Sequence, residues 1–470
     1  MRGGVGAWWA VILLLAVSRA GAQVMIAEGP FEGAAFAAGG AAPASGGASY
    51  FSAAALTRVG AEQVVDPQAS GLMAACNCPC DGCHCFPCEC PQQPAPCQPC
   101  PHVSTLLPFW NVNIFGAVQA NMQFNSARPL APGTPFFLLP NSVFEESTVD
   151  VHARSSYLGA VLTGPEVGGF QAGGLFMCFF YQDAIIIDRY GILPVQAYGD
   201  LKNEDWRFAA GLQFDVFSPN MPTMLVWSSL LASGNVGNNF RGQFRLERYL
   251  YPSDNTQWTI QAALSEPIAS HIDAAQALFQ EDNGWPNAEL RVAWGAGTAE
   301  QVGLEVHRPL EIGVSAVGGQ VRETFPLVDQ IVANVFGLGL DYRWKLNDRV
   351  GFVGEAFVGQ GLGTYNGGVL QTTNFDTAEA IRTRGMWGEM YYYLNPCLHT
   401  HTGYAFDDPI DRDVAFDQIT KNETFYSNLL WDLTRQFRLG FEVTWRKTEY
   451  AIPLLDNEGV GFHTQAQWAF

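Results

Sequence analysis

The last ten residues of the chain, Gly461 to Phe470, alternate between two classes of side chain. Successive side chains of a β-strand point to opposite faces, so this spacing places each class on its own side of one strand. One side carries Phe462, Thr464, Ala466, Trp468 and Phe470, and the other carries His463, Gln465, Gln467 and Ala469. A last strand with one lipid-compatible face, one water-compatible face and a terminal aromatic residue is typical of the closing strand of an outer-membrane β-barrel. We therefore expect Phe462, Trp468 and Phe470 to act as a barrel-assembly signal.

The first 22 residues have the composition of a secretory signal peptide. Arg2 precedes an apolar run from Ala7 to Val17, and the small residues Ala20-Gly21-Ala22 precede Gln23. The apolar run is shorter than the ~18 to 20 residues that a membrane-spanning helix needs. Export with cleavage near Ala22 is expected, and no lipid anchor is expected because no cysteine follows the cleavage point.

Composition limits what the remainder of the chain can do. Hydrophobic residues make up 48% of the sequence, yet no later stretch is apolar enough for a transmembrane helix. A membrane protein without such helices must satisfy its backbone polar groups in a closed sheet. The net charge of -20 argues against nucleic acid as a partner, since phosphate binding requires clustered Lys and Arg.

Two segments separate the signal peptide from the patterned region. Residues 23–75 are rich in Gly, Ala and Ser and are expected to form a flexible, disordered arm, because they offer little apolar surface to bury. Residues 76–101 form a Cys/Pro-rich segment. Its cysteines are Cys76, Cys78, Cys80, Cys83, Cys85, Cys88, Cys90, Cys97 and Cys100.

Three interpretations of these thiols stay open. They are disulfides made in an oxidising compartment, a metal–thiolate cluster with His84 nearby, and a Pro-rich spacer whose cysteines have no fixed partners. Their number is odd, so disulfides would leave at least one thiol free or bonded to another chain. Cys178 and Cys397 lie far away in strand-like sequence and are expected to be isolated.

Residues 109–470 carry apolar side chains at every second position over many short stretches. The clearest stretches are Val112 to Phe124, Phe208 to Val216, Trp258 to Leu264, Phe336 to Trp344 and Phe437 to Trp445. A soluble β-sandwich shows the same alternation. Two features favour a barrel: charges of both signs occur in mid-strand on the polar faces, and aromatic residues cluster near strand ends, as membrane-interface girdles do. These aromatic residues are Trp344, Trp387, Tyr391 to Tyr393, Trp431, Trp445 and Trp468.

Length predicts the size of the barrel. The region from Phe109 to Phe470 contains 362 residues. At roughly 22 residues for a strand and its connection, this gives about 16 strands. Barrels of that size enclose an aqueous channel. The predicted fold class is therefore all-β, a transmembrane antiparallel β-barrel of about 16 strands, preceded by the disordered arm and the Cys/Pro-rich segment.

The charged residues on the polar faces are the candidates for lining a pore. They are Arg207, Asp215, Arg241, Arg245, Glu247, Glu289, Arg291, Arg343, Arg438 and Glu442. The predicted constriction consists of Arg207, Arg241, Arg245 and Arg291, opposed by Asp215, Glu247 and Glu289. In the alternative interpretation, these charges only solvate and cross-link the inner wall. The long segment from Pro219 to Asn239, which contains Trp227, is the candidate for a loop folded into the lumen.

Several motifs occur along this region. They are Arg154-Ser155-Ser156-Tyr157-Leu158-Gly159, Ala197-Tyr198-Gly199-Asp200-Leu201 with Trp206 and Ala210-Gly211, Val216-Phe217-Ser218-Pro219, Gly403-Tyr404 with Asp407-Asp408-Pro409, Asn422, Arg438-Leu439-Gly440-Phe441-Glu442, and Trp445 to Tyr450. Taken in this order, the motifs resemble the DcaP-like porins. The resemblance implies a homotrimeric outer-membrane barrel of 16 strands that passes small solutes passively. The family's helical N-terminal segment is replaced here by the arm and the cysteines, so a trimer would depend on the barrel walls.

Three classes of function are weighed from these observations. The first is a porin for passive diffusion of small hydrophilic solutes or ions, with outer-membrane lipid and the barrel-assembly machinery as partners. The second is a structural or envelope-anchoring barrel cross-linked through its cysteine segment. The third, an outer-membrane enzyme, has no support from a Gly-x-Ser-x-Gly, Walker or HExxH motif, so no catalytic residues and no cofactor are expected.

Two smaller clusters have a metal-site interpretation beside a plain one. His399 and His401 share one strand face, but a pair is an incomplete metal site, and two histidines of the wall are expected. The acidic group of Asp407, Asp408, Asp411, Asp413 and Asp417 offers oxygen ligands for Ca²⁺ but lacks EF-hand spacing, so a solvated loop is expected.

Overall fold

The computed structural model describes residues 110–141, 146–182, 188–226, 230–269, 280–281, 283–302, 305–323, 331–374 and 376–470. The predicted signal peptide, arm and Cys/Pro-rich segment lie outside these residues. The strands are β1 (Asn111–Asn125), β2 (Thr148–His152), β3 (Tyr157–Val167), β4 (Phe170–Tyr181), β5 (Tyr190–Lys202), β6 (Trp206–Phe214), β7 (Phe240–Ser253), β8 (Thr256–Ser265), β9 (Gln280–Glu281), β10 (Asn287–Ala296), β11 (Glu300–Val302), β12 (Glu305–His307), β13 (Leu310–Glu323), β14 (Ile331–Lys345), β15 (Val350–Gln360), β16 (Arg382–Asn395), β17 (Leu398–Pro409), β18 (Ile419–Asp432), β19 (Phe437–Tyr450) and β20 (Asn457–Ala469). Short 3₁₀ helices occur at Leu362–Tyr365, Gly368–Leu370, Asp411–Asp413 and Pro453–Leu455.

The strands form a closed antiparallel barrel of 16 strands. β2 and β3 both pair with β1 and together occupy one position in the wall. β9 pairs with the end of β13 next to β10, and β11 with β12 makes a small separate hairpin. The remaining strands pair with their neighbours in chain order. The predicted fold class and strand number are confirmed.

The C-terminal strand closes the barrel. β20 pairs with β19 on one side and with β1 on the other, with Trp468 opposite Val118 and Phe462 opposite Phe124. The backbone of Phe470 continues the ladder, since its N–H donates to the carbonyl of Gly116 at 3.0 Å and its carbonyl accepts from the Gly116 N–H at 3.1 Å. Phe470 is therefore bonded in the seam, as the terminal alternation suggested.

Apolar side chains face outward and are exposed, whereas polar side chains face inward and are buried. On β1, Ile114 has 68% of its surface exposed, while Gln119 has 5%. On β7, Phe244 has 74% exposed and the neighbouring Arg245 has 4%. A soluble protein has the reverse arrangement, with apolar residues inside. This outer surface suits the hydrocarbon of a membrane, and the barrel interior supplies the polar side chains with partners.

The two ends of the barrel differ in their connections. At one end the strands are joined by turns as short as residues 168–169, 254–255 and 396–397, and both the start of β1 and Phe470 lie there. At the other end the connections are longer, with residues 126–147, 215–239 and 361–381 as the main examples. We call the first the short-turn end and the second the long-loop end.

The predicted aromatic girdle is correct only in part. Trp344, Trp431 and Trp468 point outward at the short-turn end, with 45%, 47% and 55% of their surfaces exposed. Trp387 is fully buried inside the barrel, where its indole N–H donates to Glu355 Oε2 at 2.9 Å. The prediction for Trp387 was wrong because parity in β16 turns it inward with Glu389. By the same parity Tyr391 and Tyr393 face inward, and only Tyr392 of that run faces outward.

Two further observations concern helices and cysteines. No helix among the described residues is long and apolar enough to cross a membrane. Cys178 is buried on the outer side of β4, with Sγ 3.7 Å from the carbonyl of Leu158, and Cys397 is exposed in a turn at the short-turn end. They are not paired with each other, as expected.

A charge placed on the outer face tests the contact with lipid. Leu338 lies in the middle of β14 and is 44% exposed. We expect Leu338→Arg to lower the free energy of unfolding by about 2 to 4 kcal/mol, because the guanidinium would lie in hydrocarbon. The measurement is urea unfolding of the barrel in phospholipid vesicles.

Leu346 provides the matched control. It is 51% exposed but lies in the turn after β14. Leu346→Arg should change the free energy of unfolding by about 1 kcal/mol or less, because this turn lies at the interface. Equal losses in the two variants would contradict a membrane around the strands.

Candidate functional site

The connection from β6 to β7, residues 215–239, folds into the barrel and is the inward loop. Its described part, residues 215–226 and 230–239, is almost completely buried against the inner wall. After Asp215 it contains no charged residue. The sequence predicted a lumen loop from Pro219 to Asn239, and the structure places this loop inside the barrel from Asp215 onward. Trp227 lies outside the described residues.

Wall glutamates hold the backbone of the inward loop. Glu289 Oε2 on β10 accepts the N–H groups of Val216 and Phe217 at 2.6 and 3.1 Å. Glu355 Oε1 on β15 accepts the N–H of Asn220 at 2.6 Å.

Two more glutamates continue this series along the loop. Glu389 Oε2 on β16 accepts the N–H of Thr223 at 2.6 Å, and Glu442 Oε2 on β19 accepts the N–H of Leu225 at 3.1 Å. The loop therefore crosses the barrel from β10 to β19, bonded at each step to a carboxylate. We call Glu289, Glu355, Glu389 and Glu442 the anchor glutamates.

This arrangement solves two problems at once. An irregular loop inside a barrel has backbone N–H groups without a strand partner, and leaving them unpaired costs about 1 to 3 kcal/mol each. A buried carboxylate likewise needs donors, and bonds from N–H groups to an ionised oxygen are roughly twice as strong as neutral ones. The anchor glutamates and the loop amides therefore satisfy each other.

Apolar packing and amides hold the other side of the loop. Met221, Leu231 and Ala232 belong to a buried cluster with Leu175 and Met177 of β4. Side-chain amides of the wall donate to loop carbonyls that turn outward: Asn428 Nδ2 donates to Thr223 O at 2.6 Å, Gln465 Nε2 to Leu225 O at 2.9 Å and Asn422 Nδ2 to Ala232 O at 2.7 Å. Part of the interior is thus an apolar core, which the polar-face patterning did not predict.

One glycine of the loop is required by its backbone. Gly237 has φ 71°, and a Cβ there would lie 2.1 Å from the carbonyl oxygen of Phe217. Only glycine fits this left-handed position, where the returning half of the loop contacts the outgoing half.

The predicted constriction residues all face inward, but they pair with their neighbours. Arg207 donates to Asp200 at 2.7 Å and to Glu247 at 3.1 Å. Arg241 donates to Asp215 at 2.6 Å and lies 3.9 Å from the ring centroid of Tyr365. The arginines and carboxylates therefore cross-link adjacent strands of one wall and do not oppose each other across an opening.

The remaining arginines of this set also pair within the wall, Arg245 inside β7 and Arg291 with β13 and β14, whereas Glu289 holds the inward loop. Arg245 donates to Gln243 Oε1 at 3.1 Å and lies 3.6 Å from Glu247. Arg291 donates to Asp341 at 3.0 Å and to Glu311 at 2.9 Å. Their contribution to selectivity stays a prediction.

Two candidates lie nearer the short-turn end. Arg343 is half-buried, and its Nη2 lies 3.4 Å from Asn220 Oδ1 of the inward loop. Arg438 donates to Asp432 at 2.5 Å. The loop and the wall thus meet at Arg343.

Burial dominates the electrostatics where the loop begins. It raises the pKa of Asp215 to about 7, although the adjacent Arg241 guanidinium acts in the opposite direction. At the outer surface the situation is reversed for Asp413, where a bidentate bond from Arg382, at 2.6 and 2.7 Å, holds the pKa below its usual value.

The two metal-site interpretations find no support in the described part of the chain, where no group of three or more His, Cys, Asp and Glu side chains could hold an ion. His399 and His401 are wall histidines in contact with each other. Asp407 is buried inside and accepts from Val369 N–H at 2.9 Å, whereas Asp408 and Asp413 pair with arginines.

Two other segments from the long-loop end enter the barrel and were missed by sequence reasoning. Phe136, from the connection after β1, is buried, and its carbonyl accepts from Asn422 Nδ2 at 2.8 Å. Asn366, from the connection after β15, donates to Asn239 of the inward loop at 2.6 Å. The sequence analysis also missed Glu355 and Glu389, although the alternation of side chains in β15 and β16 predicts that both face inward.

Comparison with solved structures finds porins. The chain is similar to the outer membrane channel DcaP of Acinetobacter baumannii, with 15% identity, a TM-score of 0.59, and coverage of 77% of this chain and 98% of that one. It is also similar to an anion-selective porin from Comamonas acidovorans, with 12% identity, 77% and 100% coverage and a TM-score of 0.49. Salmonella typhi OmpF in complex with daunomycin has 9% identity, 76% and 97% coverage and a TM-score of 0.49. No protein-family model and no curated protein matches the chain.

The similarity to the DcaP channel confirms the fold expected from the sequence motifs. It covers the barrel and bears on no part of the N-terminal region. Residues 110–470 thus have the fold of an outer-membrane channel.

Removing an anchor glutamate tests how the loop is held. Glu355 also accepts Asn235 Nδ2 at 3.2 Å, besides Asn220 N–H and Trp387. We expect Glu355→Ala to lower the free energy of unfolding by about 2 to 4 kcal/mol, since three buried donors lose their acceptor. Glu355→Gln should lose less, because its amide oxygen still accepts. Urea unfolding followed by tryptophan fluorescence measures both.

Glu204, exposed in the turn between β5 and β6, is the matched control. Glu204→Ala should be within about 0.5 kcal/mol of the unmodified protein, as is usual for exposed sites. Equal stability of the two alanine variants would refute a role of Glu355 in holding the loop.

Proposed function

We propose that this protein is an outer-membrane porin that allows small hydrophilic solutes or ions to diffuse passively through its barrel. One observation carries the proposal: a closed barrel of 16 strands with an apolar outside, a charged inside and a loop folded across the lumen. A barrel of this size has room for an aqueous passage, and an inward loop is a usual means of narrowing one. The proposed role is that of a channel, not an enzyme.

The proposed location follows from the same features. Outer-membrane barrels place short turns in the periplasm and long loops outside the cell. The short-turn end would then face the periplasm, and the outward apolar band would contact outer-membrane lipid. Barrel-assembly machinery would recognise the terminal strand through Phe462, Trp468 and Phe470, whose side chains are 53%, 55% and 54% exposed.

Selectivity would depend on local charge near the inward loop. Beyond Asp215 the loop is uncharged, so discrimination between ions would come from the wall. Arg343 is the half-buried candidate that meets the loop directly. Glu289 and Glu442 would act by holding the loop, and the other pore-lining candidates through the ion pairs that shape the wall.

A homotrimer is proposed as the assembly. The motif resemblance to DcaP-like porins supports it. Its interface would lie on the outer barrel wall. Cross-linking of the protein in native membranes, followed by size analysis in mild detergent, distinguishes a trimer from a monomer.

The cysteine segment would lie in the periplasm. β1 begins at the short-turn end, so the chain that precedes it joins the barrel there. Disulfides, a metal–thiolate cluster and an unpaired spacer stay open for Cys76 to Cys100. Mass analysis of the exported protein with and without thiol reduction and chelation separates these three states.

Single-channel recording in planar bilayers tests the proposed function. The folded protein should give stepwise conductance. A variant in which residues 218–238 are replaced by a short glycine linker should conduct more, because the segment that crosses the lumen is removed.

The linker variant needs a check that the barrel still closes. Folding is confirmed by the mobility difference between heated and unheated samples on gels, and shortening of the partly exposed connection 410–418 is the control. Absence of conductance from folded protein would refute the porin. Equal conductance of the unmodified and loop-shortened proteins would refute the loop as the constriction.

A further inference from the structure

A line of buried polar side chains connects the short-turn end of the barrel with the inward loop. Asp432, near the end of β18, has Oδ2 3.3 Å from His399 Nε2. His399 Nδ1 is 2.9 Å from His401 Nε2, and His401 Nδ1 is 2.7 Å from Glu389 Oε1. Glu389 is the anchor glutamate that holds Thr223 N–H.

We propose that His399 and His401 act as a proton-sensitive latch that positions the inward loop through Glu389. The proposal rests on the proposed function in so far as the loop narrows a passage. Its structural part, the hold of Glu389 on Thr223, can be measured without conduction.

The number of protons on the two imidazole rings determines which contacts along this line are hydrogen bonds. Three contacts must be bridged: Asp432 to His399, His399 to His401, and His401 to Glu389. Each neutral imidazole carries one N–H, so the neutral pair supplies two protons for three contacts. One contact then has a ring lone pair facing an acceptor.

A single extra proton completes the line. His399 Nε2–H then donates to Asp432, His399 Nδ1–H donates to His401, and His401 Nδ1–H donates to Glu389. In this state the pair carries one positive charge between two carboxylates, whose attraction acts against the cost of its burial. A second extra proton would place N–H groups on both His399 Nδ1 and His401 Nε2, atoms only 2.9 Å apart, and would break their contact.

The surroundings of the pair define what else could respond to pH. The titratable or charged groups around it are Glu389, Tyr391 and Tyr393 on β16, Tyr426 and Asp432 on β18, and Arg438 and Glu442 on β19. The described part of the inward loop contributes no charged group on this side. Histidine is the side-chain type that ordinarily changes charge between about pH 5 and 8, and none of these surrounding groups is a histidine.

Packing limits the ways in which the pair can relax. The ring of Tyr393 is stacked on His399, with centroids 4.7 Å apart, and the ring of Tyr391 lies 5.9 Å from His401. Both histidines are at most 4% exposed. When the rings repel each other, the change reaches the two carboxylates at the ends of the line, and Glu389 shares its oxygens with Tyr426 and Thr223.

The latch therefore holds the loop near neutral pH and releases it on acidification. Near neutral pH the pair donates to Glu389, which remains a carboxylate and holds Thr223 N–H. On acidification the second proton breaks the line and Glu389 loses its fixed position, so the loop loosens at Thr223. Val216 and Phe217 should remain held, because their anchor, Glu289, has no histidine contact among the described residues.

Amide hydrogen exchange of the folded, lipid-embedded protein is the test. Between about pH 8 and about pH 5, after correction for intrinsic exchange, protection of Thr223 should fall roughly tenfold, while protection of Val216 changes little. In His399→Asn, which keeps a donor near the Nδ1 position but cannot take up a proton, the protection of Thr223 should not depend on pH. Glu389→Ala, which removes the acceptor of Thr223 N–H, should show the acidic behaviour of Thr223 already at neutral pH.

His152→Asn is the matched control. His152 is an equally buried inward histidine on β2, hydrogen-bonded to Arg154 N–H at 3.2 Å, and its contacts among the described residues include no anchor glutamate. It should retain the pH response of the unmodified protein. Identical pH profiles of Thr223 in the unmodified protein and in His399→Asn would overturn the proposal.

Conductance measured on the same proteins separates the two proposals. The latch predicts a higher single-channel conductance at about pH 5 than at about pH 8 in the unmodified protein, and no such change in His399→Asn. If the unmodified protein and His399→Asn both conduct and their conductances change with pH in the same way, the latch is refuted and the porin is not. If folded protein conducts at neither pH, the porin is refuted, and the exchange of Thr223 still decides whether the latch exists.

Discussion

Every feature of this barrel depends on the need of backbone N–H and C=O groups for partners where no water is present. In hydrocarbon an open sheet edge would leave a row of such groups unpaired, so the sheet must close on itself. Here closure is made by β1 and β20, and the bonds between Gly116 and Phe470 extend it to the last residue. Once the sheet is closed, alternation leaves one face for lipid and one for the lumen.

The same need for partners organises the interior. The inward loop crosses the lumen without a neighbouring strand, so its N–H groups take carboxylates of the wall as acceptors. The anchor glutamates, in turn, are buried and would be costly without those donors. Where the wall is richest in arginine, from β6 to β10, carboxylates pair with guanidinium groups. Loop amides and arginines are thus two solutions to one problem, the burial of acidic side chains.

This division has a consequence for a channel. A loop held by charge-assisted bonds on four strands is positioned by the wall. Its position therefore depends on the ionisation of those carboxylates. Glu389 differs from the other anchor glutamates because it is bonded to a histidine that contacts a second histidine. In the proposed porin, conduction and proton binding would meet at this side chain.

Much of this could be predicted from the sequence, and the exceptions have identifiable causes. Alternation identified the outward face of β1, β8, β14 and β19, and length predicted the strand number. Alternation did not distinguish an outward aromatic residue from an inward one near a strand end, so Trp387 was assigned to the wrong face. It identified Asp215 and Arg241 as inward, but not that they bond each other. Glu355 and Glu389 drew no attention because nothing in their own strands indicates a loop that arrives from β6.

The sequence by itself determined which side of each strand meets lipid, because side-chain parity is a local property with a period of two residues. Only the tertiary structure decided what fills the barrel. The loop, the anchor glutamates and the paired histidines lie up to 217 residues apart in the chain, as Leu225 and Glu442 do. Their contacts arise from closure of the sheet, which brings distant strands around one lumen.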